Sequence, residues 1–187
     1  MIDNLSGSAF MAIAYGDPVL LNLGLLLIRV IFGLTMVAHG AQKLFGWFGG
    51  YGLAGTGGFF ESLGFRPGHR FAAAAGFSEF VGGGLFALGL FGPVGPALIL
   101  AVMLVASISV HFRNGFFATA NGVELPLLIA TAVIGIALIG FGTYSLDAAL
   151  GLATLWTPAL IGLALAVGVI GGFLNLLLRK KPTTPDV

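Results

Sequence analysis

The chain has 187 residues, of which 58% are hydrophobic and 8% charged, with 31 glycines. A soluble globular chain carries roughly 25% charged residues, so this one cannot cover a water-facing surface, and its natural solvent is lipid. A formal net charge of +1 without any basic stripe excludes nucleic acid as a partner. The absence of cysteine excludes disulfides, thiolate metal sites, iron–sulfur clusters and dithiol relays, and no metal centre is expected.

Residues 1–18 read as a short non-cytoplasmic tail, without the basic n-region or strong apolar run of a cleavable signal. A membrane span needs about 20 predominantly apolar residues to cross ~30 Å of hydrocarbon, and five segments qualify. The first covers residues 20–45 and ends in Gly46-Trp47-Phe48-Gly49-Gly50-Tyr51-Gly52, whose aromatics suit the membrane interface. Residues 46–70 form the one long loop. Apolar residues at 59, 60 and 63 predict a short interfacial helix there, with a mobile connector as the alternative.

The second span covers residues 71–91, the third 94–112, with Gly92-Pro93 and Pro96 making the turn between them. The fourth covers residues 125–141. The fifth covers 155–178, with Pro158 in its first turn, where a missing N–H costs little. Residues 179–187 read as a basic cytoplasmic tail. The fold class expected is all-α, a polytopic membrane helical bundle. Small residues at Ala72–Gly76, Gly82-Gly83-Gly84, Gly168 and Gly171-Gly172 are packing signals first.

Five spans place Lys43, Arg66, Arg70, Arg113 and Arg179–Lys181 on one side of the membrane, while Asp3, Asp17 and Asp147 fall on the other. The excess of lysine and arginine marks the cytoplasmic side. The expected orientation is an outside N-terminus and a cytoplasmic C-terminus, in the inner (plasma) membrane.

Charges inside the bilayer are costly, about 2.5–3.5 kcal/mol each on insertion scales, and survive when paired or functional. Arg29 lies ~14 Å from the outer end of the first span, and Glu79 ~12 Å from the inner end of the second. Their similar depth predicts an Arg29–Glu79 ion pair, either purely a register device or part of a site. His39 and Lys43 are four residues apart on one helical face, although Lys43 is more simply read as snorkelling to the headgroups. His111 ends the third span. Glu124 opens the fourth, where a carboxylate is favoured by the helix dipole. Together His39, Lys43, Glu79, His111 and Glu124 converge on one polar zone in the cytoplasmic half.

Three chemistries could use that zone. A quinone head group could accept hydrogen bonds from His and Lys, with Glu124 moving protons. A b-type haem could take two histidines, but nothing beyond their shared depth supports it. The ionisable set could also form a path for a proton or small ligand. A purely structural network is the fourth reading.

Arg29-Val30-Ile31-Phe32-Gly33 followed by His39-Gly40-Ala41-Gln42-Lys43-Leu44-Phe45-Gly46 resembles the opening helix of DoxX family membrane proteins. The segments at residues 57–65, Glu79–Leu85, His111–Phe117 and Gly122–Leu125 are similar to that family's loop and its second, third and fourth helices. The resemblance implies a four-helix membrane bundle, to which this chain adds a fifth span. It further implies a subunit or accessory of a quinone-linked oxidoreductase, or a non-catalytic scaffold for redox or stress-response enzymes. A small transporter is the least supported reading, because no span carries a polar stripe along its whole length. Expected partners are the lipid bilayer, oxidoreductase or redox-complex subunits, and further copies of the chain. Without cysteine, any redox role needs a quinone, a haem or a partner's cofactor.

Overall fold

A computed structural model describes residues 17–180. The expectations placed on residues 1–16 and 181–187, Asp3 and Lys181 included, lie outside the described residues. Among those described, the chain is all helix and turn.

Helix α1 spans Pro18–Phe45. The Asp17 carboxylate caps it by accepting from the Val19 N–H at 2.7 Å, Pro18 occupies a first-turn position, and Gly46 ends it in the left-handed region. A 3₁₀ turn (Trp47–Gly49) leads into α2, Gly52–Ser62, then α3, Gly68–Leu88. Helix α4 covers Val94–Ala106, loosens into a π turn over Ser107–His111, and closes as a 3₁₀ turn at Phe112–Asn114. Two helices follow: α5, Glu124–Ile139, and the single turn α6, Leu146–Ala149. The last helix, α7, spans Pro158–Leu177 and is capped by the Thr157 hydroxyl.

Among the described residues, four helical segments are long and apolar enough to cross a membrane: α1, α3, α4 with its extension to Asn114, and α7. The protein is a multi-pass membrane protein. The expected fourth span is the short one: α5 has 16 residues, or about 24 Å of rise. The core joins Leu25 and Met36 of α1 to Phe86 of α3, Ile99 and Met103 of α4, and Val133 and Ile136 of α5.

Glycines set the closest crossings. A Cβ on Gly33 would fall 2.6 Å from the Gly83 carbonyl oxygen, and one on Gly40 would fall 2.6 Å from that of Gly76. Such contact lets dispersion hold two helices that gain nothing from leaving lipid. Gly168 and Gly172 play the same part between α7 and α4, against Ala97 and Ala101.

The two bundle ends differ in charge. Lys43, Arg66, Arg70, Arg113, Arg179 and Lys180 lie at one end, called here the basic end, where α1, α4 and α7 finish and α3 and α5 begin. At the opposite end Asp147 is 2% exposed. Its carboxylate accepts from the N–H of Phe91 (2.9 Å), the N–H of Gly92 (2.6 Å) and the Trp156 indole (2.7 Å). One side chain thus fastens the α3–α4 turn, whose Phe91 is held at a positive φ, to the segment entering α7.

The Arg29–Glu79 pair expected from depth does not form. The glycine contacts slide α3 along α1 until Arg29 is level with Gly89, the left-handed residue that ends α3. Glu79 lies ten positions earlier on α3, about 15 Å away along the axis. Arg29 is fully buried and donates to the Tyr144 carbonyl oxygen at 2.7 Å, against the C-terminal end of α3, where a cation is favoured.

Candidate intramembrane site

Glu79 is paired with Lys43 instead, Nζ to Oε2 at 2.5 Å. The Lys43 side chain therefore does not snorkel to the headgroups. It turns inward because a carboxylate 4% exposed stands one helix away, and an unpaired buried carboxylate would cost several kcal/mol.

This ion pair lies on the wall of a cavity of about 670 Å³ in the basic half of the bundle. His39, Lys43, Glu79 and His111 all line it, so four of the five residues expected to converge do so. The fifth, Glu124, does not line it. Its carboxylate turns back to accept the Ala118 N–H at 2.7 Å, which closes the loop before α5.

Each wall has a local cause. Helix α2 forms over a glycine-rich stretch of poor helix propensity, because tertiary contacts hold it: Thr56 and Gly57 are buried, and Gly57 abuts His69. It brings Phe59 and Phe60 to the cavity, and Leu63 and Phe65 follow just after it. Its C-terminal turn is tied down by Glu61, which accepts the Gly68 N–H at 3.0 Å. Helix α3 contributes Ala74, Ala75, Ser78 and Glu79, and the π turn of α4 contributes Ser109 and His111. Helices α5 and α7 add Leu125, Pro126, Ile129, Gly171 and Asn175.

The polar groups divide into satisfied and unsatisfied ones. His111 Nδ1 donates to the Asn121 carbonyl at 2.8 Å, which leaves Nε2 of a neutral ring as an acceptor. Ser109 is 3% exposed, and its hydroxyl has no hydrogen-bond partner. A buried orphan hydroxyl is costly, and π turns recur at functional sites. Ser78, Ser109, Asn121 and Asn175 were not singled out in the sequence. Asn175 could have been, as a polar residue inside an otherwise apolar span. The others carry no comparable signal.

What these features define is a multi-pass membrane protein with a mixed polar and aromatic cavity in one half of its bundle. The DoxX family model matches residues 24–112, from α1 through the π turn. Over these residues the chain is similar to the DoxX family. The match includes Arg29, His39, Lys43, Glu79 and His111 and ends before α5 and α7. Comparison with curated proteins and with solved structures returned no match.

Proposed function

We propose that the protein is a membrane subunit or accessory of a quinone-linked oxidoreductase, and that its cavity receives the quinone head group. The observation that carries this reading is the Lys43–Glu79 pair on the cavity wall. Lys43 is the one lysine or arginine among the described lining residues, and its charge is already neutralised. A phosphate or carboxylate would find no unpaired lysine or arginine there. An uncharged ring with carbonyl oxygens suits the place better. The orphan Ser109 hydroxyl needs an acceptor, His39 can supply a donor, and Phe59, Phe60 and Phe65 offer apolar surface to a ring and its tail.

When bound, a quinone would supply two-electron redox chemistry, with electrons coming from a partner's cofactor. The chain's own residues would bind the ring, exclude water, and hold protons at the His111 imidazole and the Lys43–Glu79 pair. In this reading the chain crosses the plasma membrane five times, with α5 as the short span and the basic end in the cytoplasm.

The test is to purify the full chain in mild detergent, extract it with organic solvent and identify the quinone by chromatography and absorbance. Quinone well above the level carried by an unrelated membrane protein is expected, and lower in Lys43→Met. Background quinone in the unaltered protein would sink the reading. Capture of soluble enzymes without any quinone would instead favour the scaffold role.

A further inference from the structure

The family match ends at residue 112, yet the cavity does not. Helix α7 lies wholly beyond the match and still forms part of the wall, through Gly171, Gly172 and Asn175. We infer that α7 completes the binding site, with Asn175 as a hydrogen-bonding contact to the ring head group and Gly171 as the space that admits it. This rests on the quinone reading above and deepens it.

The rotation of α7 is fixed by Gly168 and Gly172, four residues apart on one face, which press against Ala97 and Ala101 of α4. Any side chain there would drive the helices apart. Gly171 and Asn175, also four apart, occupy the neighbouring face and so turn toward the cavity. The axial position of α7 is fixed at its end, where Arg179 Nε donates to the Leu63 carbonyl and the Lys180 N–H to that of Gly64 at 2.8 Å.

Two observations mark this wall as built for an occupant. The Asn175 carboxamide, half-buried on the cavity wall, makes no hydrogen bond to another described residue, although it sits within a membrane span, where an amide without a partner is unfavourable. A Cβ on Gly171 would meet nothing within 4 Å, so the glycine is not required by packing. The same cavity is lined by the Lys43–Glu79 pair and by Ser109, whose hydroxyl is unpartnered. The occupant that satisfies these groups is an uncharged amphiphile whose ring carries oxygens on more than one edge.

The experiment uses full-length protein in quinone-free lipid nanodiscs, titrated with a short-chain benzoquinone and a short-chain naphthoquinone by calorimetry. The unaltered protein should bind at least one of them. Asn175→Ala should bind it roughly tenfold more weakly, the effect of one lost hydrogen bond to a head group, with an unchanged melting temperature. Gly171→Leu should remove binding by filling the space. If the unaltered protein binds and Asn175→Ala binds equally well, the role of α7 is overturned and the quinone reading stands. If the unaltered protein binds neither compound, both fall together.

Discussion

Lys43, Glu79 and Arg29 show how a residue's partner depends on helix register rather than on its distance from a loop. The sequence places Arg29 and Glu79 at similar depths when each span is measured from its own end. Contacts of Gly33 with Gly83 and Gly40 with Gly76 set a different register, which gives Glu79 to Lys43. Backbone approach of that kind leaves no trace in hydropathy. Double-mutant cycles on thermal stability in one detergent separate the two pairings. Lys43→Met with Glu79→Gln should show a coupling of about 1–3 kcal/mol. Arg29→Met with Glu79→Gln should be additive to within about 0.5 kcal/mol, as for distant sites. Coupling of Arg29 to Glu79 as large as that of Lys43 would show the register to be wrong.

Among the elements, those with strong patterns were the legible ones. The 28 residues of α1, with Asp17, Pro18 and Gly46 at its ends, announce themselves. Helix α2 was legible only in its last turns, since its glycine-rich start has no propensity argument for helix and forms because Gly57 and Gly68 let it lie against α3. The π turn at Ser107–His111 was not legible, because a one-residue change of hydrogen-bond step alters neither composition nor period enough to see. The triple glycine of α3 divides by position. Gly83 meets Gly33, Gly82 meets Leu98 and Ile99, and Gly84 faces open space. Gly84→Ala should therefore be neutral or stabilising by up to about 1 kcal/mol. Gly83→Ala should destabilise by about 1–3 kcal/mol, because its Cβ must push the two helices apart. Melting temperatures of the two variants check this, and equal values would remove the close crossing from the account.

On the scale of the whole molecule, charge asymmetry was the most informative signal in the sequence. It placed six described basic residues at one end of the bundle, and it located four cavity residues in the matching half. Asp147, which the sequence marks only as an acid on the side opposite the basic residues, is a buried fastener, and nothing in sequence shows three N–H groups converging on it. The chain has no cysteine, so single introduced cysteines report sidedness without background. In intact cells, an impermeant maleimide should label Ala149→Cys and leave Thr119→Cys unlabelled until the membrane is opened. The reverse pattern would invert the proposed orientation.

The two hydrogen bonds from residues 179 and 180 to Leu63 and Gly64 bear on how anything enters the cavity. Leu63 is on the cavity wall, and Asn175 stands one turn before the end of the helix that holds it. The rim around Leu63 is consequently not a free flap. To swing outward it must either release both bonds or carry the end of α7 with it. In the second case, widening the doorway and withdrawing Asn175 are a single stroke of one lever, and admission and release become the same mechanical event.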